Sequence, residues 1–344
     1  MTTSPGTIGV ITCTHDPGSR LDAFTEKLRG LASWADRVVL VDDASGDGSR
    51  DALRRVAEEL ENVLFVALPT NVGVARARNH ALALCDTDWV WFVDDDDDWP
   101  DDVGAVLRAA TTTDADLVQF RAEYCPTTGD PVRVVDGIDE EKTVSGEQGR
   151  AALLHGTIGG FLWSKLIKRH VLGEDPFPPI SAHSDVVGAA RALSAARRVA
   201  FRSAVVYRYV HESGSVSRRR DPDWTALEHA CHQVLDLVGD SADSTDRTLF
   251  VATFLCRALL RTPVRTGVSR VARQQASAMV RSTWRELDHT PVRDRAPFLW
   301  AILSIASLSP RTARGIYTVA YGALDSARWW RRVVGAAARA GRRR

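Results

Sequence analysis

The stretch Trp89-Val90-Trp91-Phe92-Val93-Asp94-Asp95-Asp96-Asp97-Asp98-Trp99 places five apolar residues directly before five carboxylates. A short apolar run rich in valine and aromatic residues predicts a buried strand over Trp89–Val93. Five adjacent aspartates repel one another, so a fold that gathers them at a strand end needs a cation there. Oxygen ligands suit Mg²⁺ or Mn²⁺, which hold phosphates through one or two carboxylates. The stretch predicts a divalent metal site for a diphosphate; the alternative is a solvated acidic turn before the helix that Pro100 begins.

Strand-like and helix-like segments alternate on both sides of this stretch. Other short apolar runs lie at Ile8–Thr12, Val38–Val41, Val63–Leu68 and Asp116–Phe120. Apolar residues at helical spacing fill most of the intervals between them. The alternation predicts a Rossmann-like α/β fold with a mostly parallel sheet, because strands joined by helical crossovers lie parallel. Such sheets bind ligands beyond the carboxyl ends of their strands, where this sequence places polar and turn residues.

The chain has 344 residues, of which 44% are hydrophobic and 26% charged, as in a globular protein with a substantial core. The length predicts one large domain with an appendage, or two domains. After Asp223 only helical patterns occur, with breaks at Pro263, Pro291 and Pro310. Five cysteines without a Cys-x-x-Cys spacing favour a reducing compartment over a disulfide framework or a zinc site. We find no signal-peptide pattern and no apolar run near the roughly 20 residues of a membrane helix.

A pair of aspartates, Asp42-Asp43, ends the second predicted strand and precedes the turn-rich segment Ala44–Ser49. Carboxylates at this position can accept hydrogen bonds from a nucleotide base and from ribose hydroxyls. The alternative is an Asx turn with Ser45 and Asp47.

Three further polar residues stand at helix starts or in loops. Arg78 lies one turn into the helix that Gly73 begins, where its guanidinium can reach a base or a phosphate. Asp185, after Ser184, follows a proline-rich loop and can act as a general base at the mouth of a site. His211, on a loop with several hydroxyl groups, suits contact with a metal or a diphosphate. The alternatives are a solvated arginine, an ordinary first-turn helix residue and a surface histidine.

The order of these segments resembles the family 2 glycosyltransferases. The motifs that carry the resemblance are Thr14-His15-Asp16, Val41-Asp42-Asp43-Ala44-Ser45-Gly46-Asp47-Gly48-Ser49, Asn71-Val72-Gly73, Ala77-Arg78-Asn79 and Phe92-Val93-Asp94-Asp95-Asp96. The resemblance implies a GT-A fold, a nucleotide-diphosphate sugar donor with a UDP-sugar favoured, Mn²⁺ or Mg²⁺, and an inverting transfer. It implies a GT-A domain over residues 1–220, with a nucleotide-binding half (1–100) and an acceptor half (101–220). The helical patterns after it predict an α-helical region over residues 221–344.

The resemblance also assigns roles to residues. Nucleotide binding falls to Thr14, Asp16, Asp42, Asp43, Asn71, Arg78, Asp94 and Asp95. The metal ligands are Asp94, Asp96 and His211, and the register of the aspartate run leaves Asp95 and Asp97 open as well. Asp185 is the general base, and the region of the acceptor and the diphosphate includes Trp163, Lys165, Ser184 and Ser215. The chain departs from the family pattern at Cys13, Asp16 and Ser184, where proline, asparagine and glutamate are common.

Two other functions compete with sugar transfer. A nucleotidyltransferase shares a metal-dependent doubly wound sheet, but it would show a glycine-rich phosphate loop after the first strand, and Thr12–Ser19 holds one glycine. A catalytically inactive nucleotide-sugar-binding module would lack the Asp-x-Asp element or Asp185, and both are present. The predicted acceptor is a glycan, a wall polymer or a lipid-linked saccharide, and nucleic acid is not a predicted partner.

The last 35 residues, Pro310–Arg344, carry nine arginines and one aspartate, whereas the rest of the chain has a net charge of −8. Small and apolar residues recur there at helical spacing and form one stripe: Ile316, Ala320, Ala323, Ala327, Trp330 and Val334. A basic amphipathic helix of this kind can lie on an anionic membrane surface. The alternative is a helix that packs on the α-helical region or forms a homo-oligomer. The predicted location is cytoplasmic, with peripheral association at the cytoplasmic face of the membrane.

Overall fold

The structure is a computed structural model that describes residues 5–126, 133–211, 222–239, 242–261, 268–313 and 315–316. The chain forms two compact units. The first consists of Met1–Arg150 and Thr157–Glu212, and the second of Ala151–Gly156 and Ser213–Arg344. The domain boundary at residue 220 and the division into nucleotide and acceptor halves stay predictions.

The first unit is built on one β-sheet. The strands that the described residues form are β1 (Ile8–Thr14), β2 (Arg37–Asp42), β3 (Val63–Ala67), β4 (Trp89–Asp94), β5 (Leu117–Pro126), β6 (Arg133–Asp136), β7 (Lys142–Ser145), β8 (Lys165–Lys168) and β9 (Arg198–His211). They lie in the order β3-β2-β1-β4-β8-β5-β9-β7, and β6 pairs with β5.

Strands β3, β2, β1 and β4 are parallel and come from four of the apolar runs in the sequence. The helices of this half are α1 (Leu21–Ala32), α2 (Ser49–Glu58), α3 (Val74–Ala83) and α4 (Val103–Ala110). Nearly all residues of β1, β2 and β4 are buried. Burial of both faces explains why each strand appears in the sequence as a continuous apolar run rather than an alternating one.

Helix α1 covers the sheet with one apolar stripe. Its residues Phe24, Leu28 and Leu31 are completely buried and belong to the same core cluster as Trp91 of β4. Burial of one such side chain stabilises a fold by about 1.5–3 kcal/mol. This stripe is the helical periodicity that the sequence shows between the first two strands.

The second half of the sheet is mixed. Strand β8 is antiparallel to β4 and β5, and β5 runs parallel to the long strand β9. Residues 133–145 contribute two separate strands: β6 pairs with β5, and β7 pairs with β9. The helices of this region are α5 (Gly146–Leu154), α6 (Arg169–Leu172) and α7 (Ser184–Ala195).

The described part of the second unit is helical, as the sequence predicts. Its helices are α8 (Trp224–Val238), α9 (Ser244–Phe250), α10 (Arg257–Arg261), α11 (Arg270–Glu286), α12 (Thr290–Arg295) and α13 (Pro297–Leu308), with a π-helical turn at Val251–Cys256. Helices α8, α9 and α11 each have an N-cap residue whose side chain accepts a hydrogen bond from the backbone N–H three residues later. These N-cap residues are Asp223, Asp243 and Ser269. In the described ranges no helix combines the length and apolar character that crossing a membrane requires. Most of the predicted basic tail, residues 317–344, lies outside the described residues.

Candidate active site

The carboxyl ends of β1, β2 and β4 meet at one edge of the sheet. Cys13 pairs with Asp94 across β1 and β4, and Thr14 pairs with Asp42 across β1 and β2. The register therefore brings the ends of these three strands together, and with them the polar residues that follow each strand. This is the edge at which parallel α/β sheets bind their ligands.

Asp43 holds the turn that begins α3. Its carboxylate accepts the N–H of Val72 at 2.7 Å and the N–H of Gly73 at 2.8 Å. Gly73 has a φ of 83°, a conformation that favours glycine. Asp43 therefore fixes the entry of the helix that carries Arg78.

Asp42 and Asp16 organise the turn-rich segment after β2. The Asp42 carboxylate is completely buried and lies 2.6 Å from Nε of Arg50. It also accepts the N–H of Ser45 at 3.2 Å, as the Asx-turn alternative predicts. Asp16, with a φ of 48°, accepts the N–H of Gly46 at 2.6 Å. These contacts tie the two strand-end loops together, and contacts of these aspartates with a nucleotide stay predictions.

Arg78 is the cation among the carboxylates of this edge. Its Nη2 donates to Oδ1 of Asp94 at 2.6 Å, and its side chain is largely buried. Burial acts to lower the pKa of Arg78, but the charges of Asp94, Cys13 and Asp185 act against it, and the pKa is raised overall. Arg76 of the same motif is exposed. The structure thus separates a site arginine from a solvated one.

The aspartates that follow β4 have different surroundings. Oδ2 of Asp95 accepts the Thr14 hydroxyl at 2.5 Å and lies 3.5 Å from Nη2 of Arg20. Asp98 is held by its backbone, which forms a β-bridge with Arg208. These two aspartates therefore anchor the run at both sides.

Asp97 is buried beneath the run. Its Oδ2 accepts the Tyr207 hydroxyl at 2.8 Å, and its Oδ1 accepts the N–H of Val210 at 2.8 Å. The same Tyr207 hydroxyl accepts the N–H of Asp94 at 3.1 Å. Burial, followed by repulsion from Asp94 and Asp96, raises the pKa of Asp97 to about 8. This carboxyl group is a structural link between β4 and β9.

Asp96 stands out by what surrounds it. In the part of the chain that the structure describes, its carboxylate has no hydrogen-bond partner from another residue. Burial and the charges of Asp94 and Asp95 raise the pKa of Asp96 to about 6. A carboxylate held among like charges is stabilised by a bound cation, and oxygen donors suit Mg²⁺ or Mn²⁺. Asp94 and Asp96 therefore fit a divalent metal ion.

The described residues alone do not bring three histidine, cysteine, aspartate or glutamate side chains together as a metal-binding group. Magnesium is commonly held by one or two carboxylates together with the phosphates of a substrate. Asp94 and Asp96 therefore suit a metal ion whose other ligands come from a diphosphate. His211 is the last residue of β9, and its side chain lies outside the described part. Ser215 lies outside it altogether.

Asp185 lies in the first turn of α7, after His183, whose φ of 67° turns the chain into the helix. Ser184 is buried, whereas Asp185 is partly exposed. Its Oδ1 accepts the N–H of Val186 at 2.9 Å. The negative charge of Asp185 helps to raise the pKa of Arg78, which places the carboxylate within electrostatic reach of the site.

Asn79 is a positioning residue that the sequence shows only as part of a motif. Its Nδ2 donates to the carbonyl of Phe177 at 2.8 Å, and its Oδ1 accepts the N–H of Phe177 at 3.1 Å. The Phe177 ring meets Phe92 of β4 edge to face, with centroids 5.3 Å apart. These contacts fasten the loop before α7 to α3 and so set Asp185 relative to Arg78.

Asp136 is a second organising residue, without a recognisable motif around it. Its Oδ1 accepts the N–H of Gly159 at 2.6 Å, and its Oδ2 accepts the Ser164 hydroxyl at 2.6 Å. The Lys165 ammonium is completely buried, lies 3.3 Å from Oδ2 of Asp136 and donates to the carbonyl of Phe161 at 2.7 Å. Burial lowers the pKa of Lys165 against the opposing charge of Asp136. Contact of Lys165 with a diphosphate or an acceptor stays a prediction.

The remaining predicted contact residues differ in exposure. Asn71 is exposed on the loop before α3. Thr14 and Ser184 are each 3% exposed, and Trp163 is 7% exposed and stacks on two aromatic rings. Their contacts with a ligand stay predictions.

The mixed, mostly parallel sheet with its flanking helices is a GT-A type of α/β fold, and a helical region follows it in the chain. The predicted fold class is thereby confirmed. TarS 1-349 of S. aureus in complex with UDP-GlcNAc has this fold, with a TM-score of 0.65 and 18% identity over 92% of this chain and 91% of that chain. Its complex with UDP gives a TM-score of 0.62 over 90% of this chain and 91% of that chain.

Residues 9–174 match the family described as Glycosyl transferase family 2. The match bears out the resemblance to this family that the motifs indicate. EpsH of Bacillus subtilis (strain 168) is 27% identical over 222 residues, 61% of this chain and 63% of EpsH. The succinoglycan biosynthesis protein ExoA of Rhizobium meliloti (strain 1021) is 36% identical over 119 residues, 34% of this chain and 36% of ExoA. The matches therefore span less than two thirds of the length of either relative.

Proposed function

We propose that the chain transfers a sugar from a nucleotide-diphosphate sugar, with a UDP-sugar favoured, to a hydroxyl group of an acceptor with inversion of configuration. The observation that carries the proposal is the grouping of Arg78, Asp94 and Asp96 at the carboxyl edge of the sheet, with Asp185 in electrostatic reach of Arg78. A place for a cation, an arginine for the nucleotide and a carboxylate base are the groups that such a transfer needs.

Charge and fold support the donor. Asp94 and Asp96 are the residues that would hold Mn²⁺ or Mg²⁺, with His211 as the further predicted ligand. When bound, the ion neutralises the charge that develops on the leaving diphosphate. Asp42 or Asp43 and Arg78 hold the base and the ribose. The TarS structures contain UDP-GlcNAc or UDP, which supports a uridine nucleotide for this chain.

Asp185 is the proposed general base. Its carboxylate takes the proton of the acceptor hydroxyl while the hydroxyl oxygen attacks the anomeric carbon. The bond from that carbon to the diphosphate oxygen breaks, and its electron pair leaves with the nucleoside diphosphate. A single displacement inverts the configuration and needs one base and no protein nucleophile. The partial exposure of Asp185 lets its proton pass to water afterwards.

The proposed acceptor is a glycan, a wall polymer or a lipid-linked saccharide. ExoA, which shares a segment with this chain, is named for succinoglycan biosynthesis. This supports a place in the synthesis of a polysaccharide or of the cell wall.

A donor panel tests the proposal. The full chain is incubated with UDP-, GDP- and CDP-sugars and Mn²⁺ without an acceptor, and mass spectrometry identifies the products. We expect UDP and free sugar from at least one UDP-sugar, and no products when EDTA removes the metal. UMP with a sugar 1-phosphate would indicate attack on phosphorus, as in a nucleotidyltransferase. Binding of UDP without any turnover, here or with cell fractions of the host as acceptors, would indicate an inactive binding module.

A further inference from the structure

Three aromatic rings of the first unit form a column. Trp163 stacks on Tyr207 with centroids 4.8 Å apart and planes 4° apart, and on Phe161 with centroids 4.5 Å apart and planes 12° apart. The inner end is Tyr207, which is completely buried and bonded through its hydroxyl to Asp97. The outer end is Phe161, which is 38% exposed. The column thus runs from beneath the aspartate run to the protein surface.

The exposed end of the column lies beside the turn that carries Asp185. A Cβ atom at Gly160 would lie 2.6 Å from Cα of Val186, so the backbone before Phe161 packs directly on the residue after Asp185. A Cβ at Gly159 would lie 2.6 Å from Cδ2 of Phe161. Both glycines are therefore needed: Gly160 for the backbone before Phe161 to pack on the first turn of α7, and Gly159 for the Phe161 ring to keep its place.

Exposure of this ring is unusual among the described residues. The exposed large hydrophobic residues of the described ranges are Val74, Leu84, Phe161, Val271, Leu308 and Ile316, and Phe161 is the aromatic one. Lys165 also donates to the Phe161 carbonyl, so the backbone under the ring is fixed. A rigid aromatic face in contact with water is a preformed surface for an apolar ligand face.

We propose that Phe161 is the platform on which the acceptor lies, and that the acceptor presents a pyranose ring to it. The C–H groups on one face of a pyranose are apolar and slightly positive, and they suit the negative face of an aromatic ring. An open-chain polyol has no such flat face. A sugar stacked on Phe161 lies next to Asp185, where its hydroxyl meets the base. The inference rests on the proposed function because it takes Asp185 as the base.

Saturation-transfer NMR on the full chain tests this platform, with chitotriose, maltotriose and mannotriose as pyranose probes and ribitol 5-phosphate and glycerol 3-phosphate as open-chain probes. Each probe is measured with and without UDP and Mn²⁺. We expect at least one trisaccharide to bind, with the strongest transfer to C–H groups on one face of a ring. Binding of an open-chain probe alone, or of no probe, would overturn the proposal.

Three variants locate the binding. Phe161→Ala should weaken trisaccharide binding roughly tenfold, because one aromatic contact is lost. Phe161→Tyr should retain trisaccharide binding, because it keeps an aromatic ring at this position. Leu84→Ala, which removes an exposed side chain from the end of α3, should leave it unchanged. Equal saccharide binding by Phe161→Ala and the unmodified chain would overturn the platform. A titration with UDP separates the two proposals: a chain that binds trisaccharide through Phe161 but binds no UDP contradicts the proposed function and not the platform.

Discussion

Asp94, Asp96 and Asp97 lie within four positions of one another, and their neighbours give each a different chemistry. Asp94 is paired with Arg78 at 2.6 Å, and Asp97 is buried and bonded to Tyr207. Asp96 keeps a carboxylate without a partner from another described residue and with a raised pKa of about 6. This difference supports Asp96 as the direct metal ligand.

Replacement of Asp96 by alanine tests that role. Asp96→Ala should abolish turnover and weaken binding of the nucleotide sugar in Mn²⁺, because the diphosphate loses its counter-charge. Calorimetric titration with the donor measures the affinity. Asp98→Ala is the matched control, since Asp98 is held in place by its backbone. Near-normal rates in Asp96→Ala with an unchanged metal requirement would show that the assignment is wrong.

Replacement of Asp185 by asparagine separates catalysis from binding. A base acts in the transition state, so Asp185→Asn should lower kcat by roughly 10²-fold or more and leave donor affinity nearly unchanged. Steady-state kinetics and donor titration give the two values. Glu147→Gln, which changes an exposed acid in the first turn of α5, should change neither value. Loss of donor binding in a folded Asp185→Asn chain would place Asp185 in the donor site instead.

At the scale of elements, the parallel half of the sheet could be predicted and the mixed half could not. Strands β1 to β4 are continuous apolar runs, whereas β7 is Lys-Thr-Val-Ser and largely at the surface. Its pairing with β9 depends on residues more than 50 positions away, and no local pattern encodes such a contact. The residues of the site also fall into a group that the sequence predicts and a group that it does not. Arg78 and Asp96 belong to recognisable motifs, but the clamp of Asn79 on Phe177 and the role of Asp136 arise from long-range contacts.

Asp116 joins three strands at the start of β5. Its carboxylate accepts a hydrogen bond of 2.9 Å from the backbone N–H of Arg197, which precedes β9. It accepts a second hydrogen bond of 3.1 Å from Nζ of Lys168 in β8. Burial acts to raise the pKa of Asp116, but these hydrogen bonds and the Lys168 charge outweigh it and lower the pKa. A lowered pKa in the folded state stabilises the fold above the unfolded pKa near 3.8, and this stabilisation is lost as the pH falls through the folded value.

Asp116→Asn should therefore reduce the free energy of unfolding by about 1–3 kcal/mol at pH 7, and by less at pH 3. Urea unfolding at both pH values measures the difference. Asp114→Asn is the control, because Asp114 pairs with Arg198 at the surface, where both side chains are more than half exposed, and such pairs contribute little. If Asp116→Asn reduces the free energy of unfolding as much at pH 3 as at pH 7, or more, the Asp116 carboxylate does not stabilise the fold through its lowered pKa.

At the scale of the whole molecule, charge is divided along the chain. The last 35 residues carry a net charge of +8 and the preceding 309 a net charge of −8. The basic tail is largely outside the described residues, so its helix, its apolar stripe and the cytoplasmic, membrane-peripheral location stay predictions from the sequence. Basic residues near an anionic surface contribute about 1 kcal/mol each to membrane binding.

Liposome flotation tests the tail. The full chain should float with vesicles that contain anionic lipid, high salt should weaken the association, and a chain that ends at Pro310 should stay at the bottom. Neutral vesicles serve as the control. If neither chain floats and the shorter one changes its oligomeric mass, the tail is an element of assembly between copies of the chain.

The most direct test of the central claim, inverting sugar transfer at this sheet edge, is time-resolved proton NMR of donor hydrolysis. The full chain is given Mn²⁺ and the UDP-α-sugar that the donor panel identifies, and the anomeric proton of the first sugar released is observed before mutarotation. The proposed mechanism predicts a β-anomer, with Asp185→Asn releasing it much more slowly. An α-anomer as the first product, or an equal rate in Asp185→Asn, would contradict it.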